Sequence, residues 1–433
     1  MEDFSPIELG ATGLKHDNRY VFEEFLPQLA SFQLRMKFYR EMMDNDPVVG
    51  ACMSAIKMIV KQTSWHVDAA NDTNEAMRAK VFIEEALDDM DNTWPQTVSR
   101  ALSMAGYGFS LFEILYKRRN GWVVDESFSS KYSDNAIGWR NFAVRSQDSV
   151  QEWLIDDYGR YQGFVQQAAP LYKMVPIPGD KTVLFRSGDE KDSPEGKSAI
   201  RNSVRPYWYK KRLEEIEAIG IERDLNGIPV ARVPSRIMSQ SATDEEKRVL
   251  AGIRRMLDNL KNARGAGIIW PNDYDPATNQ ALYDIELMSS RGRRTHDTNT
   301  IINRYNKAIA ASMLADFILI GHENVGSFAL ASAKTHLFSV AIGSYLDEIR
   351  DVMNKVAIPR LLRLNGMFNV PAPKMWFSDI ETIELDHLAR YVSALSGAGI
   401  DLRGEDIQGY LKEQMGAPNS DANVYEDDED DTD

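Results

Sequence analysis

The sequence contains almost no cysteine: Cys52 is the only one among 433 residues. A lone cysteine excludes an intramolecular disulfide, a cysteine-based metal cluster and a CxxC redox site. Cys52 lies on the apolar stripe of a predicted helix, so we expect a packed thiol, with a reactive thiol as the alternative. The six histidines show no spacing typical of metal ligands. We therefore expect no metal site and no cofactor.

Basic residues are also in short supply. The chain has 50 Lys and Arg against 65 Asp and Glu, a net charge of −15, and its pI is close to 5.0. Eight of the acids lie in the tail Asp421–Asp433, which we expect to be disordered, and this leaves 57 acidic against 50 basic residues elsewhere. Such a chain lacks the general basic surface with which proteins grip phosphates, so tight, stationary binding to a DNA duplex is disfavoured.

Long apolar segments are missing as well. The most apolar segment, Ile309–Ile320, is interrupted by Asp316, and its length of about 12 residues is too short for a helix that crosses a bilayer. The first residues, Met1–Glu8, are acidic and contain no apolar run, so no signal peptide is predicted. We expect no membrane partner.

Motifs of common enzyme classes are absent. The nearest approach to a phosphate-binding loop is Gly196-Lys197-Ser198, but the Walker A pattern needs a glycine where Lys191 stands. The pair Asp156-Asp157 lies in a predicted turn and indicates either a magnesium ligand set or, more simply, a solvated turn. No serine nucleophile elbow is present. We predict no catalytic residue, and an ATP-driven motor or a nuclease is disfavoured.

The first half of the chain changes from helical to strand-like periodicity. Helices are predicted at Asp46–Val60, Asn74–Leu87 and Trp94–Met104. The apolar run Tyr107–Tyr116 then predicts a strand, which Asn120-Gly121 is expected to fold back into Trp122–Phe128 as a hairpin. Further strands are predicted at Val150–Ile155, Gly163–Gln167, Met174–Ile177 and Thr182–Phe185. Helices followed by a meander predict an α+β fold in a multidomain protein.

A helix predicted from about Tyr207 to Arg223 carries segregated charge. Its bases precede its acids, and the residues concerned are Lys210, Lys211, Glu214, Glu215 and Glu217. Cations near a helix start oppose the helix dipole. Two interpretations stay open: an exposed face with local ion pairs, or charges that meet opposite charges on a neighbouring chain.

The remaining pattern predicts a small β-α-β insert between long helices. Strands are predicted at Ile228–Val233 and Gly267–Trp270, with a capping box at Thr243 and Glu246 between them. A helix is predicted over Thr295–Ile320, about 39 Å long, followed by the glycine-bounded loop Gly321–Ser327 and a second helix that ends at Pro359. The basic cluster before the first of these helices, Arg291, Arg293 and Arg294, is either a solvated turn or a contact for DNA or a partner.

Three segments in this order carry a resemblance to a known family. They are the helix and strand from Asp46 to Val67, the strand Tyr107–Ile114, and the segment from Arg205 to Pro229. Over about residues 30–415 the chain resembles the portal proteins of tailed bacteriophages, particularly the Mu-type branch. The resemblance implies an N-terminal arm (1–19), an α+β wing (20–196), a stem helix (197–225), a clip (226–288), a second stem helix (289–320), a tunnel loop (321–328), a long helix (329–365), a short helical crown (366–420) and an acidic tail (421–433).

The resemblance also implies roles for particular residues. The tunnel loop, expected to touch DNA, comprises Gly321, His322, Glu323, Asn324, Val325, Gly326 and Ser327. Basic points that face DNA or a partner are expected at Arg291, Arg293, Arg294 and Lys334. Clip residues expected in oligomerisation and in docking of terminase or adaptor are Ile228, Pro229, Val230, Arg232, Ile268, Ile269 and Trp270.

The implied function is that of a non-enzymatic ring, twelve-membered in the family, at one capsid vertex. Such a ring conducts double-stranded DNA during packaging and ejection. The expected partners are other copies of the chain, large terminase, major capsid and scaffolding proteins, and a head-tail adaptor, and the expected location is the virion after assembly in the bacterial cytoplasm. Long helices with apolar stripes fit this function because neighbouring subunits would bury them. The alternative is a monomeric helical scaffold or adaptor of virion assembly.

Overall fold

A computed structural model gives the fold of the chain. It describes residues 10–188, 190–226, 228–261, 274, 281, 283–288, 297–316, 328–378 and 380. The chain divides into two compact units: unit 1 combines Met1–Arg201 with Met313–Asp433, and unit 2 is Asn202–Ser312.

The described residues contain both helices and strands, which confirms the predicted mixed fold class. The helices are α1 (Phe32–Asn45), α2 (Pro47–Lys61), α3 (Asn74–Asp88), α4 (Trp94–Ala101), α5 (Ser103–Tyr107), α6 (Val204–Asn226), α7 (Asp244–Lys261), α8 (Thr298–Ser312), α9 (Phe328–Val352) and α10 (Ile358–Leu364). The strands are β1 (Trp65–Asp68), β2 (Phe109–Arg118), β3 (Ile137–Arg145), β4 (Val150–Ile155), β5 (Tyr161–Ala168), β6 (Lys173–Pro178), β7 (Thr182–Arg186), β8 (Ile228–Arg232), β9 (Asp284–Met288) and β10 (Lys374–Phe377).

The strands in the described part of the chain form four small antiparallel sheets. Unit 1 holds the pair β1-β10, the sheet β3-β2-β7 and the meander β4-β5-β6, and unit 2 holds the pair β8-β9. In the meander, Pro176 and Pro178 lie on the edge strand β6, where a missing backbone N–H costs no ladder bond.

Helix starts follow the capping signals in the sequence. The Asp46 carboxylate accepts hydrogen bonds from the backbone N–H groups of Val48 and Val49, at 2.9 and 3.0 Å, and Pro47 occupies the first helical position of α2. The hydroxyl of Thr73 caps α3 in the same way. Cys52 is fully buried on α2, and its burial raises the thiol pKa to about 11. The thiol is therefore a packed core group.

The predicted hairpin at Asn120-Gly121 is wrong. Strand β2 pairs instead with β3, and the intervening residues, including Trp122–Phe128, form a long loop. The physical reason lies beside the turn, where the Arg119 side chain is only 1% exposed and forms ion pairs with Glu85 and Asp134. A two-residue turn could not bring the Asp134 carboxylate to that buried guanidinium.

The predicted long helix to Ile320 is also wrong. Helix α8 ends at Ser312 and has 15 residues, about 22 Å at the helical rise. Leu314 then adopts a left-handed backbone conformation with φ +57°, which interrupts the helix. Met313 and Ala315 continue the apolar pattern of the sequence but are buried as part of unit 1.

Two prolines lie in helical segments, and the helix that was predicted to end at Pro359 continues past it. Pro206 lies in the first turn of α6, where its missing N–H has no helical partner to lose. Helix α9 continues through a π-helical turn, Met353–Ala357, directly into α10, so Pro359 falls at the start of a new segment. The helical path therefore runs from Phe328 to Leu364.

Candidate subunit interface and channel segments

In unit 2, helices α6 and α8 pair lengthwise. The hydroxyls of Ser203 and Ser312 share a hydrogen bond near one end, and the Thr298 hydroxyl donates to the Glu217 carboxylate near the other. Between them the rings of Tyr209 and Tyr305 stack with centroids 6.3 Å apart. The start of α6 thus meets the end of α8, so the two helices are antiparallel.

A second face of α6 exposes apolar side chains. Trp208, Ile216 and Ile219 are 52%, 52% and 48% exposed. At 100° per residue these three positions fall within an arc of about 80°, so they form one stripe. We call Trp208, Ile216 and Ile219 the α6 stripe. Fully burying an isoleucine side chain contributes roughly 1.5–3 kcal/mol, so covering the stripe would stabilise an association.

The segregated charges of α6 have partners within the chain. Lys210 lies 3.9 Å from Glu214, and Arg212 lies 3.5 Å from Glu215. The Lys210 side chain is buried, and Glu217 is held by Thr298. These contacts agree with local pairing. Lys211, Glu214 and Glu215 are exposed, so their expected role between subunits stays a prediction.

Helix α9 of unit 1 has one buried and one exposed apolar side. Phe338, Ile342, Leu346 and Ile349 are at most 1% exposed, whereas Leu337 and Val340 are 57% and 58% exposed. The predicted basic point Lys334 lies 2.5 Å from the Asp316 carboxylate. Lys334 is therefore one half of an ion pair rather than a lone positive charge.

The predicted clip contains a strand pair that sequence reasoning missed. Residues Ile228, Pro229, Val230 and Arg232 lie on β8, as expected, but the partner strand is β9 at Asp284–Met288. Arg232 and Asp284 face each other at 3.6 Å across this pair. Apolar Ile285 and Leu287 alternate with polar neighbours in the sequence, and this period of two was the available signal for β9.

Several predicted site residues lie outside the described residues. They are Ile268, Ile269 and Trp270 of the clip, Arg291, Arg293 and Arg294, the tunnel loop Gly321–Ser327, the crown helices beyond 380 and the acidic tail. Their roles stay predictions.

The Gly196-Lys197-Ser198 segment has a structural role in unit 1. The Ser198 hydroxyl donates to the Gly106 carbonyl at 2.6 Å. Gly196 has φ +54°, and a Cβ there would collide with the carbonyl oxygen of Gly108. The segment is therefore fixed against the turn that precedes β2, a close approach that only glycine allows.

The neighbouring Glu195 is buried beside this segment. Its carboxylate pairs with the Arg35 guanidinium and accepts a hydrogen bond from Trp153 Nε1 at 3.2 Å. Burial raises the pKa of Glu195, and the Arg35 charge opposes that rise. A cavity of about 230 Å³ next to the pair is lined by both acids and bases, including Glu24 and Arg201, which pair with each other. The acids and bases around the cavity form ion pairs with each other, and these pairs connect residues 23–35 to residues 190–201.

The Asp156 turn is explained without a metal. Backbone N–H groups of Arg160 and Tyr158 donate to the Asp156 carboxylate and lower its pKa, and the Arg160 side chain pairs with it at 3.2 Å. Across the part of the chain that the structure describes, no three His, Cys, Asp or Glu side chains form a group suited to a metal ion. None of the helices with described residues has the length and apolar character needed to cross a membrane.

Solved structures with a similar fold include chains of gene transfer agent particles. The chain is similar to a chain in the virion of a native gene transfer agent (GTA) particle, with a TM-score of 0.51 and 10% identity over 88% of this chain and 93% of that one. It is similar to a chain in the neck of the native GTA particle computed with C12 symmetry, with a TM-score of 0.50 and 10% identity over 88% and 94% of the two chains. At this identity the likeness concerns the fold.

A family model settles which family the sequence represents. The model for the portal protein of Mu bacteriophage matches residues 36–416, most of the chain. This match confirms the resemblance seen in the sequence. The chain belongs to the family of Mu-type bacteriophage portal proteins.

Proposed function

We propose that the chain forms a closed ring of identical subunits that conducts double-stranded DNA through one vertex of a viral capsid. The observation that carries the proposal is the α6 stripe. Three large apolar side chains are about half exposed on a helix whose other side packs on α8. In a ring, each subunit would cover this stripe on its neighbour, as a head-to-tail interface requires.

The family and the neighbouring structures support a ring of twelve. The matched family is that of portal proteins, and one similar chain belongs to a particle neck computed with C12 symmetry. In this proposal α6 and α8 are stem helices and β8-β9 with α7 is the clip. The sheets and helices of residues 20–196 are the wing, and the path α9–α10 is the long helix after the tunnel loop.

The proposed role is conduction rather than catalysis. A conduit must pass a polyanion without holding it. An acidic chain makes few contacts with phosphates and so releases few counterions from DNA. The DNA is therefore held only weakly. The tunnel loop and the cluster Arg291, Arg293 and Arg294 are the proposed points of transient contact with DNA. Terminase, adaptor, capsid and scaffolding proteins are the proposed partners of the assembled ring.

Native mass spectrometry of the purified chain tests this proposal. Twelve copies of the 49.1 kDa chain give a particle of about 590 kDa, and we expect a species of that mass or of a neighbouring whole number of copies. A species of 49.1 kDa at every concentration would refute the ring and favour the scaffold or adaptor alternative.

A further inference from the structure

The loop between β2 and β3, residues 119–136, ends in an exposed apolar tip. Trp122 is 83% exposed, Val124 is fully exposed and Val123 is 38% exposed. We call residues 122–126 the loop tip. Single exposed apolar residues are common, but three consecutive ones in one loop form a local patch.

The base of this loop is fixed by the buried Arg119. Its guanidinium pairs with Glu85 and with Asp134, the latter at 2.9 Å. The same group stacks on the Tyr132 ring at 4.1 Å and lies 5.2 Å from the Phe82 ring. A buried cation with two carboxylates and two rings holds both ends of the loop on α3.

A second buried cation fixes the return half of the loop. Lys117 lies 3.3 Å from Asp89 and donates to the Ser129 carbonyl at 2.8 Å. Asp89 in turn accepts from the Ser130 hydroxyl at 2.7 Å and from the Lys131 backbone N–H at 2.8 Å.

Hydrogen bonds also cross the loop close to its tip. The Gly121 carbonyl accepts from the Ser130 N–H at 3.0 Å, and the Gly121 N–H donates to the Tyr132 carbonyl at 2.8 Å. The Ser129 hydroxyl bonds both the N–H and the carbonyl of Val123, at 3.1 and 3.2 Å. The loop is thus ordered before any partner binds, which lowers the entropic cost of binding.

The charge beside the tip limits what can bind there. Asp125 and Glu126 are exposed next to the apolar residues. Like-charge repulsion disfavours DNA and anionic lipid, and a protein that docks here must offer basic groups to Asp125 and Glu126. An exposed tryptophan on an ordered loop is typical of the residues that dominate protein–protein binding.

We propose that the loop tip docks into an apolar pocket, rimmed by Lys or Arg, on a different protein of the particle. Trp122 and Val124 fill the pocket, and Asp125 and Glu126 meet its basic rim. This proposal rests on the proposed function in one respect: the partner is sought among the other proteins of the viral particle.

The test measures binding of the ring to the remaining structural proteins of the particle, purified from a virus strain that lacks this chain. We expect Trp122→Ser to raise the half-saturating concentration at least 30-fold, about 2 kcal/mol, as for a central binding residue. Glu126→Lys should raise it about 10-fold, and Trp122→Phe should retain most binding. Phe368→Ser is the matched control, because Phe368 is an aromatic residue of unit 1 with 73% exposure, and it should bind as the wild type does.

A photoreactive benzophenone side chain at position 124 identifies the partner. The proposal expects one crosslinked protein, with the crosslink mapped to an apolar site that has Lys or Arg at its edge. Crosslinks to a second copy, to DNA or to lipid would overturn the proposal, as would unchanged binding by Trp122→Ser. The mass of each variant is measured in parallel, so loss of the ring, which concerns the proposed function, is distinguished from loss of docking by an intact ring.

Discussion

The ion pair between Arg35 and Glu195 gives the sharpest prediction about the stability of unit 1. Both side chains are only 9% exposed, and the carboxylate is also bonded to Trp153. Replacing Arg35 by Met leaves the acid buried without its counter-charge. Breaking a buried pair in this way costs about 3–5 kcal/mol. We expect Arg35→Met to lower the unfolding free energy of the chain by that amount.

A second arginine on the same helix supplies the control. Arg40 pairs with Asp148 at 3.0 Å, but both side chains are about half exposed. Exposed pairs contribute about 0–1 kcal/mol, so Arg40→Met should destabilise far less. Chemical unfolding followed by tryptophan fluorescence measures both variants, because Trp153 lies in the affected core.

The same variant should change the dependence of stability on pH. Burial already raises the pKa of Glu195 above its usual 4.5, and removing Arg35 removes the charge that opposes the rise. An acid with a raised pKa binds its proton more tightly in the folded state, so the contribution of Glu195 to stability is full below pH 4.5 and is lost as the pH rises through the folded pKa. The deficit of Arg35→Met relative to the wild type should therefore shrink as the pH falls from 7 towards 4.5. An equal loss in both arginine variants, or a deficit independent of pH, would refute this reasoning.

Three further predictions concern the assembly. The double variant Ile216→Glu, Ile219→Glu should weaken the association free energy of each subunit interface by roughly 3 kcal/mol or more, because it places charge on the α6 stripe. Native mass spectra should then show monomers instead of rings. Val249→Glu, at an apolar residue of 40% exposure on α7, is the control and should leave rings intact. Deleting Gly321–Ser327 should preserve the ring but reduce DNA packaging, measured as encapsidated DNA per particle; normal filling would remove the loop's proposed role. Truncation after Asn419 should leave the ring and the thermal unfolding curve unchanged, and loss of soluble ring would show that the tail is structural.

The sequence predicted elements whose signals are local. Strand β4 was predicted at its observed bounds, because the turn residues Asp156-Asp157 follow it directly. The start of α2 followed from Asp46 and Pro47, since capping acts within three residues of the helix start.

Elements that depend on distant partners were not predicted. The turn signal at Asn120-Gly121 was overridden because Arg119 needs Glu85 and Asp134, residues far apart in the sequence. Likewise, the left-handed Leu314 leaves no mark in an apolar pattern that continues past it.

In the candidate site, too, the sequence predicted features of single helices but not the contacts between helices. The charges of α6 were visible in the sequence, but which of them form pairs inside the chain depends on spacing and on α8. Helix α6 has Trp208, Ile216 and Ile219 at helical spacing in the sequence. Only the packing of α6 on α8 separated its covered side from its exposed one.

Electron microscopy of the purified chain tests the central claim most directly, namely that neighbouring copies cover the α6 stripe around a central channel. The account predicts annular particles whose class averages have a single rotational symmetry and an open centre, with α6 of each subunit against the next. Well-folded single chains without annular particles at any protein concentration, or rings in which the α6 stripe faces solvent, would contradict it.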